Sequence, residues 1–349
     1  MAQEQHTHGR GPDTRDAQGR EEAARLWRKA ELVTPMAIRA VATLGVADHL
    51  AEGARTAHEL AEAVGAEPGR LERVLRHLVT EELFTVHHGD RFALTATGEA
   101  LRSDHPWSRR EWITGEGAHG RADLCLAELA PALRTGETAY GRYFRSTFWD
   151  DLAASPELTT SFERLMGSRM VEHARTLAGM YGWGSLGHVM DVGGGDGTLL
   201  RELLDRFTAL RGTVLDLAGP AESARKAFRD AGLEDRGDAV AGDFFGPLPA
   251  GHDAYLLCWI LHDWDDDAAL AILRRCAEAA RPGGTVLVAE YGGGVAMTEL
   301  DVRMLAYFNG REREVAELSA LAEEAGLCLA GDHSRRGITL AEFTVGRPE

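Results

Sequence analysis

The sequence lacks several features that each define a class of protein. None of its four cysteines belongs to a CxxC pair, so we expect neither a disulfide framework nor a cysteine zinc site. No window approaches the roughly eighteen consecutive apolar residues of a membrane helix, and no apolar signal stretch opens the chain. These absences predict a cytoplasmic protein that does not act at a membrane.

Positive charge is also scarce. The 349 residues include 38 lysines and arginines against 55 aspartates and glutamates, which gives a formal net charge of −17. A nucleic-acid-binding surface needs basic side chains to neutralise phosphates, so this balance argues against a nucleic-acid partner. Apolar residues make up 44% of the chain, which is enough for a large core, and the length favours two domains over one.

Composition and periodicity divide the chain into four predicted parts. The first twenty residues contain almost no large apolar side chain and cannot bury enough surface to fold. Apolar residues recur at helical spacing in the next two parts, and predicted strands alternate with predicted helices in the last part. The predicted parts are a disordered tail (1–20), a winged-helix-like dimerisation domain (21–135), a helical linker (136–185) and an α/β catalytic domain (186–349).

The dimerisation domain is predicted from helices followed by one hairpin. Thr56 and Glu59 have the spacing of a capping box, and LFTVHHGDRFALT alternates apolar and polar residues around Gly89 and Asp90, as a hairpin does. Helix, turn, helix and hairpin form a winged-helix pattern, which serves either DNA binding or dimerisation. The many glutamates of this part favour dimerisation, so we predict a homodimer.

The last part has the pattern of an open α/β sheet. Apolar segments such as HVMDVGG, GTVLDLA and TVLVAEY are separated by amphipathic segments such as TLLRELLDRF. This alternation predicts a doubly wound, Rossmann-like sheet that binds its ligand at the carboxyl ends of the strands.

A glycine-rich turn follows the first strand of this sheet. Gly193, Gly194 and Gly195 lie between Asp191 and Asp196, and glycines let the chain turn tightly beside a ligand. The spacing departs from the G-x-G-x-x-G of dinucleotide sites. The flanking carboxylates would repel a pyrophosphate but attract a sulfonium and an ammonium. The turn therefore favours S-adenosylmethionine over NAD.

Two further strand ends carry side chains suited to the same ligand. Asp216 ends the second strand, where an acidic residue can accept both hydroxyls of a ribose. Asp243 and Phe244 follow the third strand and offer a carboxylate to an adenine amine and a ring to its face. Each alone could be a capping aspartate or a core phenylalanine, but their places on successive strands favour a cofactor site.

One histidine and two glutamates form the candidate catalytic group. The strand YLLCWIL runs into His262, Glu290 ends the next strand, and Glu312 precedes a helix. Imidazole has an ordinary pKa of about 6.5 and can act as a base at physiological pH, and either glutamate can hold its second nitrogen. A histidine at a strand end can equally be structural. The run 265–267 fits a helix N-terminus better than a metal site, so no metal is expected.

These motifs together resemble a known family. DVGGGDG, the strand end at Asp216, GDFF, LHDWDDD, RPGG, AEY and GRERE occur in this order. The set is similar to the small-molecule O-methyltransferases of the caffeic-acid type, and most of all to the antibiotic-tailoring branch that includes the carminomycin and mitomycin enzymes. The resemblance spans roughly residues 22–347. It implies a methyltransferase fold with an N-terminal dimerisation domain.

The resemblance implies a set of cofactor contacts. The residues that it places at S-adenosylmethionine are Gly193, Asp216, Asp243, Phe244, Cys258 and, on a linker helix, Thr159. Plant members often carry lysine at the position of Cys258, so we expect this contact to be made by the backbone here.

The resemblance also implies the acceptor site. It makes His262 the general base, with Glu290 and Glu312 as its supporting carboxylates, and it places Asp301 and Arg303 on a helix that lines the acceptor pocket. Further contacts are expected from Phe148, Trp149 and Met166 of the linker, which otherwise serve as ordinary packing, and from Asp263.

The sequence therefore predicts S-adenosylmethionine-dependent methyl transfer to a hydroxyl of an aromatic natural product, polyketide-like or an aromatic acid. The first alternative is an enzyme of the same fold that performs decarboxylation, hydroxylation or cyclisation. A second alternative is a winged-helix DNA-binding regulator, which the acidic balance disfavours. A dehydrogenase is disfavoured by the glycine spacing.

Overall fold

The computed structural model describes residues 14–280, 283–292 and 298–346. The chain forms two compact units, Met1–Gly115 and Glu116–Glu349. None of the helices in the described ranges combines the length and the apolar character that crossing a bilayer requires.

The first unit is helical, with a small antiparallel sheet. Its helices are α1 (Thr14–Ala30), α2 (Val33–Thr43), α3 (Val46–Leu50), α4 (Ala57–Val64), α5 (Pro68–Thr80) and α6 (Arg110–Ile113). Its strands are β1 (Arg55–Thr56), β2 (Phe84–His87) and β3 (Arg91–Leu94), in the order β1-β3-β2. The predicted hairpin is confirmed as β2 and β3. The capping box is confirmed at α4, where Thr56 Oγ1 accepts from Glu59 N at 3.2 Å and Glu59 Oε2 accepts from Thr56 N at 2.6 Å.

Helix α1 overlaps the predicted disordered tail. Residues 14–20 are helical, whereas residues 1–13 lie outside the described residues. The helix is exposed from residue 16 onward, and Leu26 and Trp27 expose 67% and 70% of their surfaces. The prediction of a disordered tail rested on the lack of large apolar residues to bury. An α-helix is held by hydrogen bonds between residues close in sequence, so α1 forms without such burial.

The second unit begins with five helices: α7 (Ala118–Ala122), α8 (Leu129–Thr135), α9 (Ala139–Phe144), α10 (Phe148–Ala154) and α11 (Pro156–Leu177). Residues 116–135 belong to this unit, although the sequence placed a domain boundary after residue 135. Cys125 is buried there in one cluster with Tyr140 and Tyr307. Contacts over such long sequence separations leave no periodic signal, which explains the different boundary.

Strands and helices alternate in the rest of this unit. The strands are β4 (His188–Val192), β5 (Arg211–Asp216), β6 (Gly237–Ala241), β7 (Ala254–Cys258), β8 (Thr285–Tyr291), β9 (Leu327–Arg335) and β10 (Ile338–Val345). The helices are α12 (Thr198–Arg206), α13 (Ala218–Asp230), α14 (Asp266–Ala279), α15 (Thr298–Phe308) and α16 (Val315–Glu324). The strand order is β6-β5-β4-β7-β8-β10-β9. Strands β4 to β8 are parallel, and β10 runs antiparallel to β8 and β9. The predicted doubly wound α/β sheet is confirmed, with an antiparallel pair at one end.

Helices cover both faces of the sheet. Trp183, Leu200 and Phe228 are fully buried in one apolar cluster, and Tyr255 and Phe343 are fully buried in another. Strands β4, β7 and β8 are buried over nearly their whole length, which explains their continuous apolar sequences. The loops at the carboxyl ends of these strands therefore stand on a rigid frame.

Candidate active site

The candidate site lies at the carboxyl ends of four neighbouring strands. β5, β4, β7 and β8 are adjacent and parallel, so the residues that follow them meet at one edge of the sheet. The glycine turn follows β4, Asp216 ends β5, Cys258 ends β7 and Glu290 lies near the end of β8. The structure thus brings the predicted cofactor and catalytic residues to the same edge.

The glycine turn needs glycine for its backbone conformation and for space. Gly193, Gly195 and Gly197 have φ angles of 76°, 59° and 75°, in the left-handed region that other residues rarely adopt. A Cβ on Gly193 would lie 2.5 Å from Ile260 Cδ1. Asp216 holds the turn in place, because its Oδ2 accepts a hydrogen bond from Gly195 N at 2.8 Å.

Carboxyl groups dominate the electrostatics of this turn. Asp191 lies beneath it, so close that a Cβ on Gly194 would be 2.6 Å from Asp191 Cγ. Within the described part of the chain, neither carboxylate oxygen of Asp191 has a hydrogen-bond partner. Burial, aided by the charges of Asp216 and Asp196, raises the pKa of Asp191 to about 7, and burial also raises the pKa of Glu163 on α11. A ligand with positive charge, such as a sulfonium, is therefore favoured here.

The other predicted cofactor residues have these positions. Phe244 lies beside the turn, with Cε1 3.5 Å from the Cβ position of its first glycine. Asp243 Oδ1 accepts from Phe245 N at 2.9 Å, which shapes the loop after β6. Cys258 is buried at the end of β7. The hydroxyl of Thr159 on α11 donates to a carbonyl of α10 at 2.7 Å, so this group is already engaged within the protein.

His262 lies in a short 3₁₀ helix, Leu261–Asp263, and not at a strand end. The sequence predicted a strand that continued to His262, but β7 ends at Cys258. The next residue, Trp259, has a φ of 55°, which an extended strand does not accommodate. This break turns the chain so that the imidazole points back over the sheet edge toward Glu290.

Three carboxyl groups surround the imidazole. Nδ1 of His262 lies 3.0 Å from Glu290 Oε2 and 3.3 Å from Glu312 Oε1, and Nε2 lies 3.4 Å from Asp263 Oδ1. Glu290 also accepts a hydrogen bond from Leu261 N, through Oε1 at 2.9 Å. The four side chains of the cluster are at least 84% buried. The predicted pairing of the histidine with both glutamates is thus present in the structure.

The charge state of this cluster follows from its surroundings. Burial disfavours the imidazolium, but the carboxylates, Glu290 first among them, outweigh burial and hold the pKa of His262 well above its usual value. Burial raises the pKa of Asp263 to about 7. The ring nitrogen and carboxylate oxygens of His262, Glu290 and Glu312 lie within 4.8 Å of one another, a spacing that a metal ion could bridge. The cluster can store a proton and release it as the pH rises.

Two residues predicted to line the acceptor pocket have partners within the protein. Asp301 Oδ1 accepts from Glu312 N at 2.9 Å, so Asp301 supports the loop that carries Glu312. Arg303 Nε donates to Asp123 Oδ1 at 2.9 Å, and the Tyr307 hydroxyl contacts the same carboxylate. The positive charge of Arg303 is therefore balanced by the Asp123 carboxylate of the same chain.

The aromatic residues of the linker pack near the histidine segment. Phe148 lies 5.0 Å from Phe308, measured between ring centroids, and Trp149 stacks on Phe308 at 5.3 Å and on Trp264 at 6.4 Å. Trp149 Nε1 is buried without a hydrogen-bond partner among the described residues. Met166 is half-buried on α11. Helix α10 thus packs on Trp264, two residues after His262.

An aromatic wall that sequence reasoning missed lies beside His262. We define it as His173, Trp259 and Tyr291: the His173 and Trp259 rings are 4.7 Å apart, and Trp259 lies 5.2 Å from Tyr291. The Tyr291 ring is parallel to that of His262 at 6.2 Å, and the guanidinium of Arg169 lies over it at 4.8 Å. Trp259 follows the end of β7 and Tyr291 is the last residue of β8, so both could have been found by that signal. No local signal connects His173 on α11 with them.

Two family profiles match the chain. Residues 126–328 match the O-methyltransferase domain, and residues 29–104 match the O-methyltransferase dimerisation domain. The first profile overlaps the predicted helical linker and most of the predicted catalytic domain, and the second lies within the predicted dimerisation domain.

Proteins of known activity are similar over nearly the full chain. The 2,7-dihydroxy-5-methyl-1-naphthoate 7-O-methyltransferase of Streptomyces carzinostaticus is 50% identical over 318 residues, 90% of this chain and 96% of that protein. Aclacinomycin 10-hydroxylase of Streptomyces purpurascens is 43% identical over 90% of this chain and 87% of that protein. An O-methyltransferase of neocarzinostatin biosynthesis, solved with S-adenosylmethionine and 2-hydroxy-5-methyl naphthoic acid, superimposes with a TM-score of 0.89 at 50% identity. That superposition covers 92% of this chain and 98% of the solved one.

Proposed function

The chain belongs to the family of S-adenosylmethionine-dependent O-methyltransferases, and from this premise we propose that it methylates a hydroxyl group of an aromatic natural product. The observation that carries the proposal is the position of His262. It is buried against Glu290 and Glu312 at the sheet edge that also carries the glycine turn. A base and a cation-favouring cofactor site thus share one edge.

The residues of the glycine turn fit the cofactor. S-adenosylmethionine supplies the methyl group on a positively charged sulfur. The buried carboxyl group of Asp191 and the neighbouring Asp216 and Glu163 favour such a cation over its neutral-sulfur product. The absence of side chains at Gly193 and Gly195 lets the backbone approach the ligand. We infer that Asp243 and Phe244 contact the adenine, and that Cys258 contributes backbone atoms.

His262 is proposed to take the proton of the acceptor hydroxyl. As the acceptor oxygen bonds to the methyl carbon, the bond between that carbon and sulfur breaks, and the hydroxyl proton passes to the imidazole. Glu290 and Glu312 stabilise the imidazolium that results. The same carboxylates favour a protonated ring before the reaction, so the neutral base becomes available only at a pH above the ordinary imidazole range.

Positioning and proton transfer contribute unequally to the rate. Holding two reactants in line can supply an effective molarity of about 10⁵–10⁸ M. A positioned general base contributes roughly 10²–10⁴-fold. The rigid sheet edge that places the cofactor, the acceptor and His262 therefore contributes more than the base itself.

An aromatic acceptor is supported by the side chains around His262. The aromatic wall stands on one side of the imidazole, and Phe148 and Trp149 pack near the segment that carries it. Flat aromatic faces stack on planar ligands. The naphthoate methyltransferase to which this chain is 50% identical acts on a compound of that kind. We infer that Met166 and Asp263 complete the pocket.

Hydroxylation is the second candidate. Its support is the 43% identity with aclacinomycin 10-hydroxylase, which indicates that similar chains serve more than one reaction. The buried histidine between two glutamates is suited to accept a hydroxyl proton, which favours methyl transfer.

Mass spectrometry distinguishes the two reactions. The purified protein is incubated with S-adenosylmethionine labelled in its methyl group and with a panel of hydroxylated naphthoates and related polyketide aromatics. We expect the product to gain one labelled methyl group, and S-adenosylhomocysteine to accumulate in equal amount. A product that gains oxygen or loses carbon dioxide without label would contradict the proposal.

We also propose that the protein is a homodimer. The dimerisation-domain profile covers residues 29–104. Large apolar side chains are exposed on α1, on α2 and between these helices, namely Leu26, Trp27, Leu32, Val33 and Met36. Such exposed apolar patches mark contact surfaces. Light scattering at micromolar concentration should give the mass of two chains, and a monomer would contradict this assignment.

A further inference from the structure

Arg313 is buried directly behind the catalytic cluster. It follows Glu312 in the loop between α15 and α16, and its side chain exposes only 3% of its surface. A buried guanidinium requires acceptors for its N–H groups. Its acceptors are the carbonyl oxygens of Leu261 and Trp264, the carboxylate of Asp266 and, at 3.4 Å, the carbonyl oxygen of Arg311.

The two carbonyls bracket the catalytic histidine. Arg313 Nη1 donates to Leu261 O at 2.7 Å, and Nη2 donates to Trp264 O at 2.8 Å. His262 lies between these two residues, so the guanidinium holds both ends of its 3₁₀ helix. Asp266 fixes the guanidinium in turn, because its Oδ1 accepts from Nε at 3.0 Å and from Nη2 at 2.8 Å.

The loop that carries Arg313 also contacts the histidine segment through its backbone. A Cβ on Gly310 would lie 2.1 Å from His262 O, so no side chain fits between the two segments. Asp301 anchors the other side of the loop through Glu312 N. The position of Arg313 therefore determines how the Glu312 carboxylate, 3.3 Å from Nδ1, lies relative to the imidazole.

We propose that Arg313 is a positioning residue for methyl transfer, which holds His262 and Glu312 at the separation that the reaction requires; this inference rests on the proposed function. The planar guanidinium presents its N–H groups in fixed directions to two carbonyls and one carboxylate. Lysine keeps the charge but is a single-point donor on a flexible stem, so it cannot hold all three groups.

Arg313→Lys in the full-length enzyme is the main test. Calorimetry should show nearly unchanged affinity for S-adenosylhomocysteine, because the glycine turn and Asp216 belong to other strands. We expect kcat to fall roughly 10- to 100-fold, as a displacement of about 1 Å can cost, with a smaller change in KM. The acid limb of the pH–rate profile should move to lower pH, because Glu312 then stabilises protonated His262 less well.

Arg311→Lys is the matched control. Arg311 binds the same Asp266 carboxylate, with Nε 3.1 Å from Oδ1, and it also binds Glu317. Within the described residues, the hydrogen bonds of its side chain go to the Asp266 and Glu317 carboxylates and not to a carbonyl of the histidine segment. A weaker contact with Asp266 alone would affect both variants, whereas loss of the bonds to the Leu261 and Trp264 carbonyls affects only Arg313→Lys. We expect the control to keep the wild-type kcat and pH midpoint.

A second variant covers the case in which Arg313→Lys does not fold. Asp266→Asn leaves Arg313 in place but weakens its anchor, and it should change kcat and the pH midpoint in the same direction by a smaller factor. The midpoint is also read from the NMR titration of the His262 ring, which needs no turnover. A wild-type midpoint in the variant that folds overturns the positioning role, whatever its kcat. Absence of methyl transfer by the wild-type enzyme would instead refute the proposed function.

Discussion

The substitution Glu290→Gln tests the electrostatic account of the base most directly. Glu290 Oε2 lies 3.0 Å from His262 Nδ1, and both side chains are about nine-tenths buried. Gln keeps the oxygen that accepts from Leu261 N but removes the negative charge. A close opposite charge raises a histidine pKa by about 1–3 units, and Glu312 remains at 3.3 Å. We therefore expect the substitution to lower the pKa of His262, with Glu312 preserving part of the stabilisation of the imidazolium.

The sign of the effect on catalysis follows from the charge. The carboxylate stabilises the imidazolium, so its removal makes the neutral base available at lower pH. The acid limb of the pH–rate profile, measured between about pH 5.5 and 9.5, should thus move toward lower pH, while the rate at high pH falls because the imidazolium formed in the reaction loses a partner.

The control for this substitution is Glu323→Gln on the exposed side of α16, which should leave the profile unchanged. NMR titration of the His262 ring gives the same midpoint without an acceptor. An acid limb that stays in place, or that moves to higher pH in Glu290→Gln, would refute the assignment of His262 as a base tuned by its carboxylates.

Three further perturbations test the base, the cofactor site and the fold. His262→Ala should lower kcat by roughly 10²–10⁴-fold, and calorimetry should show unchanged cofactor affinity. Near-normal turnover would show that His262 has a structural role and is not the base. Asp216→Ala should weaken S-adenosylmethionine binding by about 1.5–3 kcal/mol, because Asp216 holds the glycine turn through Gly195 N; calorimetry that shows wild-type affinity would contradict this. The free energy of unfolding should fall as the pH drops below about 6.5. Burial lowers the pKa of both His188 and His252, whose ring centroids are 4.3 Å apart. As the pH falls, the unfolded chain therefore binds these two protons before the folded chain does. The free energy of unfolding, measured with urea at neutral and acidic pH, should fall less between the two conditions in His252→Gln than in wild type. Equal decreases would show that the histidine pair is not responsible.

Local patterns in the sequence determined the elements and the residues that follow them. Apolar runs predicted the buried strands β4, β7 and β8, because such strands have no solvent face to mark with polar residues. The glycine turn, Asp216 and Glu290 were found because parallel strands deliver their carboxyl ends to one edge. The same rule brought His262 into the site, although the chain reaches it through a 3₁₀ helix.

Only the tertiary structure decided how these groups interact. The turn at Trp259, with its φ of 55°, depends on packing that no local pattern encodes. His173, Asp301 and Arg313 reach the site from helices or loops far away in sequence, so their roles follow from topology.

The protonation state of His262 could not be predicted from the sequence either. An isolated imidazole has a pKa of about 6.5, and its value in the protein depends on burial and on how close Glu290 and Glu312 lie. Those distances are set by the packing of the loop before α16 against the histidine segment. The residue types in the sequence thus indicate the chemistry of the site. The pH at which the site operates depends on distances that only the folded chain defines.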